Sequence, residues 1–446
     1  MCSTILDPIF AWADETPRHE AVVFQSSSNE ITRFTYGDIR SAVAERAAVF
    51  SDLAPSSRVG LIATHGPQFL IEALAILKAG HCLVPIGELL SENDRGELVD
   101  RAGLHALRIA GQNGVIPCAG TPIDLNSDEN FRALRPAYLR FTSGSTGQRK
   151  GVLLSHKTLL ERTRAANARL QISGRDRVLC LLPMVDHFVV SILLYLRYGS
   201  TILLVGNDEN AGDFAETQMA TVLYGAPSQY RGISRPLPHV RLAVSTTQVL
   251  SKPIAESFLE RTGKPLTQAL GIIEAGLLTL NEKHATSEPL LAGEPMPDYR
   301  ISISGNSKAA GEIYVAGPGL LDAYVSPWRS RDSIVTDLGF PTGDHGWLDE
   351  NGVLHLTGRA KNRIELDSVS YFSEEIEALI NEHPRIDESL VFLRNDQLYA
   401  RIVAREGECF LPWIREKTAF LNTPVNIERV DSLPRTPTGK LARPLS

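Results

Sequence analysis

Short apolar runs alternate with longer amphipathic stretches through the first two thirds of this chain, and that alternation restricts the fold more than any other feature. RVGLIAT (58–64), HCLVPI (81–86), RVLCLLP (177–183), TILLV (201–205), TVLYGAP (221–227) and VRLAVS (240–245) have the length and β-branched content of buried strands. Between them lie helical patterns: YGDIRSAVAERAAVFSDL behind the capping residue Thr35, FLIEALAILKAG, a stretch ending at Gly199, and KPIAESFLERTG. Strand, helix, strand in succession builds largely parallel sheets, because parallel neighbours need a crossover that a helix supplies. The body is therefore expected to be α/β.

From about residue 299 the texture changes. YRISISGNSKAAGEIYVAG and GWLDENGVLHLTG are short strands with turn residues, Glu350, Asn351 and Gly352 suiting a hairpin loop, so a small β-rich unit closes the large region. After GRAKNRIEL come helix SEEIEALINEH, strands SLVFL and LYARIVA, helix LPWIREKTAFLN and the polar turn PRTPTGK. We expect a large domain over 1–361 and a small, mobile α+β domain over 362–446.

A chain of 446 residues exceeds the about 100–200 residues of one ordinary domain, which agrees with that division. With 45 basic against 52 acidic residues the net charge is −7, which offers no field to hold nucleic acid or an anionic membrane. No basic leader precedes an apolar run near the start, and no run reaches the about 18–20 residues that cross a bilayer, so a cytoplasmic protein is expected. The five cysteines, Cys2, Cys82, Cys118, Cys180 and Cys409, lack metal-ligand spacing.

The strongest local signal is YLRFTSGSTGQRKGVLLSH, from Tyr138 to His156. Glycines Gly144 and Gly147 let successive N–H groups point at an anion, Thr142, Ser143, Ser145 and Thr146 add hydroxyl donors, and Lys150 adds positive charge. It is not the loop of a nucleotide kinase, because Gly151 rather than Ser or Thr follows the lysine. An ordinary Ser/Gly surface turn is the bland alternative.

The string resembles the signature of the adenylate-forming superfamily, which includes acyl-CoA synthetases, luciferases and peptide-synthetase adenylation domains. Four further segments resemble that family in order: LKAGHCLVPI at 77–86, GEIYVAGPGLLDAY at 311–324, PTGDHGWLDENGVLHLTGRAKNRI at 341–364, and PRTPTGKLAR at 434–443. The resemblance implies ATP-dependent activation of a carboxylic acid as acyl-AMP with pyrophosphate release. Transfer to a pantetheine thiol, on coenzyme A or a carrier protein, would follow.

The same resemblance implies roles for particular residues. Lys440 would bridge the substrate carboxylate and the α-phosphate, a task suited to a compact charge on a flexible stem. Asp344 would accept the ribose hydroxyls while Arg359 supplies donors, and Glu274 in QALGIIEAG would hold Mg2+ through hard carboxylate oxygen. Leu270 stands where an aromatic ring usually covers adenine, Ile273 where a threonine is usual, and STTQVL (245–250) where the family has a glycine pair. In the hinge segment Asn362, Glu365 and Ser368 replace the usual aspartate, lysine and glycine, which puts the thioester step in question.

The acid pocket is expected along LPMVDHFVVSILLYLRYGS, with Asp186 or His187 near its entry. An aspartate there would pair with an α-amino group and a histidine would suit acyl or aryl acids; either could equally be a helix cap or a satisfied core group. The rival to catalysis is a degenerate relative that binds nucleotide or carrier without turnover, motivated by Leu270, Ile273 and Ser368. Retention of Lys440, Asp344, Arg359 and Glu274 argues against it.

Overall fold

The computed structural model describes residues 3–120, 127–142, 150–206, 210–282, 288, 290–305, 310–366, 369–404, 410–435 and 441–443. Ser143, Gly144, Ser145, Thr146, Gly147, Ser368 and Lys440 lie outside the described residues.

Local chemistry starts the elements where the patterns place them. Thr35 accepts from the Asp38 amide at 3.1 Å while the Asp38 carboxylate accepts from the Thr35 amide at 2.9 Å, a reciprocal cap that opens helix Tyr36–Ala47. Helix Pro67–Lys78 begins with proline, which has no amide to leave unsatisfied, and buries nearly every residue from Phe69 to Leu77.

Two large sheets carry the architecture. The thirteen-stranded one has a parallel centre in the order Glu20–Gln25, Thr201–Val205, Arg177–Cys180, Val222–Gly225, Leu242–Ser245, Thr267–Ile272. Beyond Thr267–Ile272 every neighbour is antiparallel, through Gly276–Asn281, Leu291–Pro295, Leu354–Arg359, Phe340–Leu348, Gly311–Ala316 and Arg300–Ile303. The β-rich stretch thus extends the large sheet. Its strands are too closely spaced in sequence for helical crossovers, and hairpins pair antiparallel.

The eight-stranded sheet centres on parallel strands Ala106–Ile109, Arg58–Ile62, Cys82–Ile86 and Pro136–Phe141. Strand Gly151–Ser155 folds back antiparallel on Pro136–Phe141, and Ala323–Val325 returns from far along the chain to pair with it. Helix Pro67–Lys78 and the run Met184–His187, Phe188–Ile192, Leu193–Arg197 share one hydrophobic cluster with residues of both sheets.

After residue 362 come the hairpin Arg363–Leu366 and Val369–Phe372, helix Ser373–Ile380, a three-stranded sheet of Ile386–Arg394, Gln397–Ala404 and Asn426–Arg429, and helix Phe410–Lys417. Ile376, Ile380, Leu398, Ile402 and Ile414 form a separate core there. Among the described residues no helix is long and apolar enough to cross a membrane.

Candidate active site

The ends of the phosphate-type loop are clamped. Phe141 and Gly151 are cross-strand partners, and the Thr142 amide donates to the Lys150 carbonyl at 2.9 Å, so the two described ends of the loop are held side by side. Lys150 leaves this clamp with its ammonium 5.4 Å from the centre of the Tyr324 ring, on the attractive face of the π-system. Tyr324 reaches it because Ala323–Val325 pairs with the strand that follows the loop, Tyr324 opposite Val152.

The Tyr324 hydroxyl donates to Glu274 Oε1 at 3.1 Å. Burial, reinforced by the neighbouring carboxylate, raises the Tyr324 phenol above the ordinary tyrosine range, so it remains a proton donor. Glu274 sits in the turn between Thr267–Ile272 and Gly276–Asn281, and that turn is held from beneath by Arg162, which is 3% exposed. Arg162 donates to the carbonyls of Ile273 (3.0 Å), Glu274 (3.4 Å) and Gly319 (2.6 Å). Gly319 has φ +72°, and a Cβ there would stand 2.6 Å from the Arg162 Cβ, so only glycine lets the two backbones approach this closely.

One further, largely covered charge completes the frame. Asp322 accepts from the Ser155 amide at 2.6 Å and the Thr158 hydroxyl at 2.8 Å, and pairs with Arg331 at 2.9 Å. The segment Gly319–Tyr324 is thereby fastened to the start of helix His156–Leu170, which fixes where the Tyr324 ring stands.

Asp344 and Arg359 face each other across strands Phe340–Leu348 and Leu354–Arg359. Arg359 Nε donates to Asp344 Oδ1 at 2.6 Å, and the guanidinium is held charged first by Asp344, with Glu274 and Glu374 adding to the field. The Asp344 side chain is 10% exposed and that of Arg359 is 40%, so the pair opens outward on its arginine side. Gly358 lies against the next element: a Cβ there would meet Phe372 Cβ at 2.5 Å and Glu374 Oε2 at 2.6 Å.

Leu270 and Ile273 are half-buried around the bulge at Leu270/Gly271. Thr247, in the stretch that stands where the resembled family has a glycine pair, has φ +76°. A β-branched side chain in the left-handed region is strained by about 1–3 kcal/mol, so the backbone keeps a conformation that the residue itself disfavours.

At the expected acid end, Asp186 is buried and engaged. Arg140, on the strand leading into the loop, donates to Asp186 Oδ1 at 2.5 Å and to its carbonyl at 2.6 Å. His187 lies 3.2 Å through Nδ1 from the Tyr224 hydroxyl, with the two rings edge to face. The next five residues, Phe188–Ile192, form a π-helical turn, an irregularity common at functional sites.

The terminal motif is bracketed by a β-bridge between Arg435 and Leu441, and Ala442 donates to the Pro434 carbonyl at 2.8 Å. Arg443 then contacts both oxygens of the buried Glu377, at 2.6 and 2.7 Å. Glu374, beside it, accepts from the Asn362 amide group, so the hinge residue and the terminal segment meet at one helix end. Lys361, crowded by burial and by Arg359 and Arg443, has its ammonium pKa lowered.

Thr142, Lys150, Glu274, Asp344 and Arg359 thus converge from separate segments, and Asp186 and His187 join neighbouring elements. Sequence reasoning missed Arg140, Arg162, Asp322 and Tyr324. Tyr324 ends a segment whose family likeness was legible, but an arginine inside a polar helix, such as Arg162, ordinarily signals a solvated charge. Among the described residues no group of three or more His, Cys, Asp or Glu could hold a metal ion.

Comparison with known proteins places the chain in a family and a fold. A coenzyme A ligase from Mycobacterium tuberculosis, acting on a 7a-methyl-1,5-dioxo-octahydroindenyl propanoyl group, is 25% identical, with 96% of each chain covered. The structure of O-succinylbenzoate coenzyme A synthetase from Bacillus subtilis in complex with AMP superposes with a TM-score of 0.82 at 19% identity, covering 98% of this chain and 97% of that one. The ATP-bound MatB structure from Rhodopseudomonas palustris superposes with a TM-score of 0.80 at 20% identity, covering 98% and 97%. The family described as AMP-binding enzyme matches residues 9–325, well over half of the chain, and the protein belongs to that family.

Proposed function

We propose that this adenylate-forming acid–thiol ligase activates an acyl or aryl carboxylic acid with ATP and passes it to a pantetheine thiol. In the first step a carboxylate oxygen attacks the α-phosphorus, the bond to the β-phosphate oxygen breaks, and pyrophosphate leaves. In the second a thiol attacks the acyl carbon, AMP departs, and the thiol proton is released. The observation that carries this reading is the convergence of Lys150, Glu274 and the Asp344–Arg359 pair, where cationic and ribose-accepting groups stand around the end of one loop.

In this reading Thr142, Ser143, Gly144, Ser145, Thr146, Gly147 and Lys150 hold the phosphates, Leu270 borders the base, and Asp344 and Arg359 take the ribose. Lys440 offsets the charge that builds where two anions meet. Glu274 fits Mg2+, which binds proteins through one or two carboxylates and completes its shell with phosphates and water. Bound there, the ion would neutralise the departing pyrophosphate.

The acid end favours an acyl or aryl substrate over an amino acid. Arg140 already meets the charge of Asp186, while His187 and Tyr224 offer an imidazole and a phenol. Coenzyme A is the acceptor named for the Mycobacterium tuberculosis and Bacillus subtilis relatives above, and a carrier protein is the alternative acceptor. The domain of residues 362–446 would turn about Asn362 between the two steps, and the enzyme would work in the cytoplasm.

ATP–pyrophosphate exchange against fatty, aromatic and amino acids tests the reading. Acid-dependent exchange with an acyl or aryl acid, abolished in Lys440→Ala while the unfolding midpoint stays put, is the expected result. Silence across the panel would move the weight to a non-catalytic nucleotide binder.

A further inference from the structure

Tyr324 occupies a place that no motif assignment explains. Its ring receives the Lys150 ammonium at 5.4 Å from the centroid and its hydroxyl donates to Glu274 at 3.1 Å, so one side chain touches both the cation at the end of the phosphate loop and the carboxylate opposite. It is 8% exposed and held on three sides: by pairing to Val152, by Asp322 fastened to Ser155 and Thr158, and by Arg162 gripping the Gly319 and Glu274 carbonyls.

We propose that Tyr324 is a positioning residue that keeps Lys150 and Glu274 apart and aimed at the nucleotide. A lysine and a glutamate brought to the same cleft attract each other, and a direct ion pair would neutralise both. The ring prevents this by giving the ammonium a weak, uncharged resting place, which a phosphate displaces easily. The hydroxyl turns the Glu274 carboxylate and holds it with a charge-assisted hydrogen bond. Arg162, by fixing the main chain of the Glu274 turn, leaves the carboxylate's orientation to Tyr324.

The role rests on the nucleotide reading of this site, so the test measures nucleotide binding directly as well as turnover. Calorimetric titration of the full-length protein with ATP is run at several magnesium concentrations, without acid, on wild type, Tyr324→Phe, Tyr324→Leu, Glu274→Gln and Tyr324→Phe/Glu274→Gln. Losing a hydrogen bond to a charged group is expected to weaken ATP binding about tenfold in Tyr324→Phe and to raise the magnesium concentration needed for half-saturation. Tyr324→Leu, which also removes the seat of Lys150, is expected to bind more weakly still. The double variant should bind no worse than Glu274→Gln alone, because the hydroxyl acts through that carboxylate.

Exchange kinetics should show the loss in the KM for ATP, with kcat at saturating nucleotide preserved in Tyr324→Phe. Wild-type affinity and magnesium dependence in Tyr324→Phe would overturn the proposal, as would fully additive losses in the double variant. If Tyr324→Leu fails to fold, Tyr324→Phe, which keeps the ring, still decides. A wild type that binds ATP but exchanges no acid would sink the ligase reading and leave these titrations decisive for Tyr324.

Discussion

Two aspartate–arginine pairs differ in how far they are closed to water. Asp344 and Arg359 are cross-strand partners whose arginine is 40% exposed. Asp186 and Arg140 join a helix start to the strand before the phosphate loop, with side chains 8% and 17% exposed. The first pair can exchange a partner for a ligand hydroxyl at little cost, because water already reaches it. The second is closed, and its charges are balanced inside the protein. Identical side chains are thus left open to water in one place and closed off in the other, and exposure is what separates them.

The comparison breaks most decisively at the closed pair. Arg140→Ala leaves the buried Asp186 carboxylate without its cation and is expected to cost about 3–5 kcal/mol of stability, read by denaturant unfolding. Arg140→Met/Asp186→Asn, which removes both charges, should recover most of that loss. A single variant as stable as wild type would show that the Asp186–Arg140 pair is as open as the Asp344–Arg359 pair.

At the open pair the expectation reverses. Asp344→Asn should weaken ATP binding by about 1.5–3 kcal/mol, the range for hydrogen bonds to a charged group, while the unfolding midpoint hardly moves. An unfolding loss as large as that of Arg140→Ala would erase the distinction.

Titration sharpens the same contrast in the closed region. His156, at the first position of the helix His156–Leu170, has its pKa pushed down to about 4 by burial, with Arg135 adding repulsion and Asp7 opposing. Between pH 6.5 and 4 the unfolded chain binds this proton and the folded chain does not. Stability should therefore fall as pH drops, by about 1.4 kcal/mol per pH unit from this group. His156→Gln should flatten that part of the stability curve; an unchanged slope would place the imidazole in contact with water.

The smallest expected effect lies at the base. If Leu270 borders the base as proposed, Leu270→Tyr supplies an aromatic face there and should tighten ATP binding by about 0.5–1.5 kcal/mol, measurable in the same titrations. No gain would mean that the bulge at Leu270/Gly271 turns this position away from the nucleotide.

Much of the fold was legible because its signals are local. Thr35 and Asp38 cap a helix whoever their distant neighbours are, and the apolar runs at 58–64, 81–86 and 201–205 became central strands. The family likeness was legible where it is written as a contiguous string, as in the segments that hold Thr142, Lys150, Asp344 and Arg359. The site was illegible where one residue acts through a partner more than a hundred positions away. Arg162 reaches Gly319, and Asp322 reaches Ser155, across separations that no periodicity reports.

By itself the sequence determined the α/β alternation, the β-rich stretch that follows it, and the family likeness of its loops, since each depends on neighbours a few bonds away. Only the tertiary structure decided that the β-rich stretch would extend the main sheet, that Asp186 would be neutralised by Arg140, and that Tyr324 would stand between Lys150 and Glu274. Those outcomes depend on which strands pair and which charges lose their water, and both are set by contacts formed only when distant segments pack together.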